Sequence, residues 1–172
     1  MNTERLFYKI LRTKVGKICI IWKESKRKKK IIQIILPKFS LNSVKKNHSG
    51  ILPGKNQAID KIAKQINLHI NGKRIQFSTD LLDLEQLGSF QRKVLRITRK
   101  IPWGKVESYG SIAEKVGVPR GARAAGQALA NNPFPIIIPC HRVIRSDRTI
   151  GGFGDNIELK RKLLKIEGIT IK

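Results

Sequence analysis

The segment Ile136-Ile137-Ile138-Pro139-Cys140-His141-Arg142-Val143 constrains this chain more than any other. Three consecutive isoleucines predict a short strand buried on both faces, because β-branched side chains suit a covered pleat. Pro139 removes a ladder donor and ends that strand. Cys140 is then expected where a rigid core element opens into a loop, with an imidazole and a guanidinium beside it. A thiol reacts as its thiolate, and neighbouring His or cationic groups lower its pKa. A buried structural cysteine that happens to precede a histidine fits the same eight residues equally well.

Charge narrows the choice of partner. The 172 residues carry 36 Lys and Arg against 12 Asp and Glu, a formal net charge of +24. That length holds one large domain or two small ones. Such a surface attracts polyanions, nucleic acid foremost, although a lysine-rich compositional bias is a competing source of the excess. The chain lacks a long apolar run and a helix with a basic face, so no membrane partner is expected. Cys19 and Cys140 form no CxxC, and no signal peptide is read at Met1. Both point to a reducing, cytoplasmic compartment. His48, His69 and His141 show no metal-ligand spacing with either cysteine, so neither a metal nor another cofactor is expected.

The first half, residues 1–80, reads as a small β-rich domain. Phe7 to Leu11, Lys17 to Trp22 and Ile31 to Leu36 are apolar runs separated by Gly16 and by Lys26-Arg27-Lys28-Lys29-Lys30, which predicts a hairpin and a third strand. Cys19, between Ile18 and Ile20, is expected to pack as a small hydrophobe. The basic run reads as a solvated tip, with phosphate binding as its alternative. Leu41 to Lys55 reads as a loop. Ile59, Ile62, Ala63, Ile66 and Ile70 then form one helical stripe with Asn56 as N-cap. Arg74 to Phe77 suggests a last strand, and Ser78 to Leu87 a linker.

The second half, residues 81–172, reads as mostly helical. Phe90, Val94 and Ile97 repeat at helical spacing behind Ser89 as N-cap. Ser108 opens a short helix through Val116, ended by Gly117 and Pro119, and another runs from about Arg120 to Asn131. Two short helices joined by a tight turn are the helix-turn-helix pattern. The second is almost all small residues, which lets its backbone approach something closely. Arg123 is its only long charged side chain, with Gln127 one turn along the same face. That face fits a DNA groove, or close helix packing with Arg123 solvated.

These segments together resemble the O6-alkylguanine-DNA alkyltransferase family. The likeness is carried by Pro139-Cys140-His141-Arg142-Val143, Asn132-Pro133 and Gly121-Ala122-Arg123-Ala124, with Ile101-Pro102-Trp103-Gly104-Lys105-Val106 and Ser108-Tyr109-Gly110-Ser111-Ile112-Ala113 before them. It runs from about Phe90 to Gly168. The family implies an α/β fold: an N-terminal α/β domain with a ribonuclease-H-like three-stranded antiparallel sheet, then a mostly helical domain with a helix-turn-helix and the active cysteine. It also implies a monomer acting on double-stranded DNA that contains O6-alkylguanine, with O4-alkylthymine as a second substrate. The alkyl group moves once, irreversibly, to Cys140.

By that resemblance His141 accepts the thiol proton through a water and Glu167 fixes its tautomer. The residues themselves place Glu167 at the end of a last helix that starts at Asp155, has Glu158 in a capping box and stops at Gly168. A carboxylate at a helix C-terminus opposes the dipole and calls for a partner. The resemblance makes Tyr109 the residue that hydrogen-bonds the flipped base and Asn132 the brace of the cysteine turn. Arg123 fills the gap left by the flipped nucleotide, and Ser146 and Gln127 join Arg123 and Tyr109 as DNA contacts. Pro135, Leu129, Phe153 and Gly154 are the expected pocket wall. Phe153 stands where many members have tyrosine, and Gly154-Asp155-Asn156 replaces a Ser-Gly-Gly, which removes a hydroxyl near the guanine edge. A lesion-recognising binder without chemistry would have replaced the nucleophile, and a thiol hydrolase would need an oxyanion hole that no motif supplies.

Overall fold

The computed structural model describes residues 4–26, 28–154 and 156–171. Met1, Arg27 of the basic run and Asp155, the expected helix start, lie outside them. Two compact units form, Met1–Asp83 and Leu84–Lys172.

In the first unit β1 (Arg5–Thr13) and β2 (Gly16–Glu24) make an antiparallel hairpin, and β3 (Lys29–Ile35) pairs antiparallel with β2. Gly16, at φ +120°, closes a two-residue turn that few other residues could form. Ile18, Cys19, Ile20, Ile21 and Trp22 are all buried, so the middle strand is covered on both faces.

The expected loop at Leu41 to Lys55 is instead structured. It holds α1 (Leu41–Asn47), capped by Ser40, and β4 (Leu52–Pro53), which pairs parallel with β1 and makes the sheet four-stranded, β3-β2-β1-β4. Weak local propensity hid α1, because only Val44 on it is buried, against Cys19 and Ile21. The isoleucine stripe forms α2 (Gln57–Ile70), with the Asn56 side chain accepting from Ala58 and Ile59 N–H as expected. Arg74 to Phe77 forms no strand. The expected linker contributes to the sheet instead, since Ile31 N–H donates to Leu81 O and Asp83 N–H to Ile31 O.

In the second unit α3 (Ser89–Arg99) begins one residue earlier than expected, with Gly88 rather than Ser89 at the N-cap. Its buried positions are Val94, Leu95 and Thr98. Next come β5 (Glu107–Ser108), α4 (Tyr109–Val116) and α5 (Ala122–Ala130). Gly117, at φ +90°, ends α4 in a Schellman motif: its N–H donates to Glu114 O and that of Val118 to Ala113 O. The three helices α3, α4 and α5 pack on one another, the arrangement expected of a helix-turn-helix.

The isoleucine segment is buried as expected but is not a strand. Ile136 sits at φ +74° in a turn closed by Ile138 N–H to Phe134 O. Pro133, Pro135 and Pro139 deny the segment a ladder, so burial is met by a turn. After it β6 (Val143–Ile144) pairs parallel with β5, and α6 (Ile157–Ile166) closes the unit with Asn156, not Asp155, as N-cap.

Candidate active site

Cys140 opens a single 3-10 turn, Cys140–Arg142, directly after the isoleucine turn. Asn132 holds the two turns together. Its Nδ2 donates to Ile138 O at 3.0 Å and to Cys140 Sγ at 3.2 Å, while its Oδ1 accepts from Phe134 N–H at 2.9 Å. One amide thus satisfies groups on both sides of the strained Ile136.

Glu167 reaches the same place from the end of α6. Gly168, at φ +78°, terminates that helix with Ile169 N–H bonded to Leu164 O, which leaves Glu167 at the C-cap with its side chain fully enclosed. The carboxylate accepts from His141 Nε2 at 2.8 Å, from Arg142 Nε and Nη2 at 2.8 and 2.9 Å, and from Gly104 N–H at 3.3 Å. Arg142 Nη1 also donates to Ile101 O at 2.6 Å. The forked guanidinium supplies the counter-charge that a buried carboxylate needs.

Tyr109 is brought in by the short parallel pair β5–β6, which ties the start of α4 to the exit of the cysteine turn. Its ring runs between two glycines. A Cβ on Gly151 would lie 2.9 Å from the ring and one on Gly126 would lie 3.6 Å away. The Tyr109 hydroxyl donates to Gly152 O at 3.2 Å and accepts from Lys160 Nζ at 3.4 Å.

Burial pushes the Cys140 thiol up, and the Asn132 amide, the Lys160 ammonium and backbone N–H groups pull against it. Burial likewise raises Tyr109, reinforced by Cys140 and opposed by Arg145. Lys160 is lowered to about 8, chiefly by desolvation. The arrangement is a thiol that needs a base before it can attack, beside a buried imidazole whose other face is fixed by an anion.

Residues 89–169 match the family described as 6-O-methylguanine DNA methyltransferase, DNA binding domain. The methylated-DNA–protein-cysteine methyltransferase of Methanothermobacter thermautotrophicus is 37% identical over 132 residues, covering 77% of this chain and 73% of that protein. This chain belongs to the methylated-DNA–protein-cysteine methyltransferase family. The crystal structure of the Mycobacterium tuberculosis O6-methylguanine methyltransferase superposes with a TM-score of 0.77 at 31% identity, covering 94% of this chain and 92% of that one. The Mycobacterium tuberculosis OGT in complex with DNA superposes equally well, at 28% identity over the same shares.

Against that family background, the remaining sequence-predicted residues fall into two groups. Arg123 and Gln127 are exposed on α5, and Ser146 is exposed in the turn that Asp147 and Thr149 close. Leu129 and Pro135 are buried, Phe153 is half-buried and Gly154 is exposed. Two residues escaped the sequence reading. Arg142 lay inside the motif without a role, and Lys160 was passed over as a surface charge. A lysine on the same helical face as Leu159, Leu163 and Leu164 was the available signal.

Proposed function

We propose that this chain repairs DNA by one irreversible transfer, moving the alkyl group from O6 of guanine to Cys140 Sγ after the nucleotide turns out of the duplex. The observation that carries this reading is the enclosed Cys140 thiol, braced by Asn132 and adjoining an imidazole held by Glu167. His141 takes the thiol proton through a water, and Glu167 stabilises the imidazolium. The thiolate attacks the alkyl carbon, the S–C bond forms, and the C–O6 bond breaks with its electron pair passing to guanine. Tyr109 gives its hydroxyl proton to the departing base. The thioether product has no route back to thiol, so each molecule acts once.

Flipping costs a few kcal/mol, and Arg123 offsets part of it by occupying the gap. The small exposed residues of α5 suit a minor groove, with Gln127 and Ser146 as further DNA contacts. Leu129, Pro135, Phe153 and Gly154 enclose the base. O4-alkylthymine offers the same leaving oxygen and is the second substrate. The net charge of +24 favours duplex DNA as partner, and among the described residues no helix is long and apolar enough to cross a membrane. The protein works as a cytoplasmic monomer, with the chemistry in residues 81–172.

Incubation with duplex carrying labelled O6-methylguanine tests this. One label per protein, on Cys140, is expected, followed by no further reaction. Continued turnover, or no label at all, overturns the proposal.

A further inference from the structure

Lys160 is fully buried on α6, yet it is charged at the pH where most lysines are. Its Nζ donates to Val143 O, to Gly152 O at 3.2 Å and to the Tyr109 hydroxyl at 3.4 Å, and stands 5.6 Å from the Tyr109 ring centroid. Val143 immediately follows the cysteine turn, and Gly152 lies in the loop that passes over Tyr109. The ammonium therefore ties together three pieces of the site. Two of its partners are neutral carbonyls and the third is a neutral phenol, so none supplies a full counter-charge.

We infer that Lys160 is a positioning residue for the transfer, a buried cation that faces the Cys140 thiolate before attack and the Tyr109 phenolate after it. This deepens the function proposed above and rests on it. In the reacting step the thiolate electron pair forms the S–C bond. The C–O6 pair passes to guanine, which takes the Tyr109 proton and leaves neutral. One negative charge has moved from Sγ to the phenolate oxygen. The ammonium hydrogen-bonded to that oxygen balances the charge at both ends of the path, and no proton need leave it.

The titratable groups that face Lys160 are Cys140, from the 3-10 turn, and Tyr109, from α4; Arg145 acts on Tyr109 from the far side. Cys140 in its ionised form raises Lys160, while desolvation, the larger effect, lowers it to about 8. The cation is thus lost as pH rises through that value, which gives the reaction an alkaline limb that thiol ionisation alone would not produce.

The test measures single-turnover transfer from an O6-methylguanine duplex between pH 6 and 10. The proteins are the unaltered chain, Lys160→Met, Lys160→Arg, Tyr109→Phe and the Lys160→Met/Tyr109→Phe double variant. Lys160→Met is expected to slow transfer on the order of a hundredfold, the scale of lost proton-transfer assistance. Lys160→Arg should recover most of that rate and move the alkaline decline to higher pH. The double variant should lose no more than Tyr109→Phe, because coupled residues are not additive. Additive losses, or a Lys160→Arg profile with its decline still near pH 8, overturn the inference. Should Lys160→Met not fold, the Lys160→Arg profile still decides. Failure of the underlying function shows separately, as absence of alkyl on Cys140 in the unaltered protein by intact mass.

Discussion

The Asn132 side-chain amide lies 3.2 Å from Cys140 Sγ and 3.0 Å from Ile138 O, so one residue both shapes the turn and touches the nucleophile. Asn132→Ala should leave Ile138 O and Phe134 N–H unsatisfied beside the positive-φ Ile136. A cost of about 2–4 kcal/mol follows, at roughly 1–2 kcal/mol for each buried group left without a partner. Urea denaturation reads that loss, and single-turnover transfer should fall with it. A stability within 0.5 kcal/mol of the unaltered protein, a threshold of about half a typical hydrogen bond, would remove the brace from the account.

The loop over Tyr109 depends on Gly151. Its φ of +68° disfavours any side chain, and a Cβ there would meet the Tyr109 ring at 2.9 Å. Gly151→Ala should therefore displace the ring as well as strain the backbone, the latter by about 1–2 kcal/mol. Gly152→Ala meets nothing within 4 Å and has no positive φ, so it serves as the control. Transfer should drop in the first variant and hold in the second; equal behaviour of the two would refute the close-approach argument.

The elements that could be read from sequence are those whose signal is local. The β1–β2 hairpin, the isoleucine stripe of α2 with Asn56, and the stop of α4 at Gly117 each rest on neighbouring residues, and each formed. Ile136 to Ile138 misled because a run of β-branched residues reports burial, while the choice of turn over strand was made by Asn132 and three prolines around it. Glu167 became legible once its helix had an end, since a carboxylate at a C-cap asks for a partner. Which partner it finds was not legible. The fork of Arg142 onto that carboxylate depends on how the cysteine turn aims its third residue, and no spacing encodes that aim.

Arg123 is exposed on α5 with only small residues around it, Ala122 and Ala124 among them. If it fills the space of a flipped nucleotide, Arg123→Ala should slow transfer from duplex far more than reaction with free O6-benzylguanine, which needs no flipping. Kinetics on both substrates separate the roles, and equal losses would refute gap filling. Duplex binding should weaken steeply with added salt in both proteins, as counterion release requires.

Lys160 also links stability to pH, with a definite sign. Its folded pKa, lowered from 10.5 to about 8, means that above pH 8 the unfolded chain holds the proton that the folded chain gives up. Stability gained from this group therefore rises with pH above that value. Both buried thiols act the other way, since Cys19 is raised from 9.0 to about 11 and Cys140 is raised as well, so they oppose the gain above pH 9. The clean window is pH 8 to 9, where one pH unit is worth at most about 1.4 kcal/mol. Urea denaturation at those two pH values should show the unaltered protein gaining up to that amount relative to Lys160→Met or Lys160→Arg. A variant with the same slope as the unaltered protein would mean that Lys160 keeps its proton throughout, and that its burial is matched by a counter-charge stronger than the carbonyls and the phenol it touches.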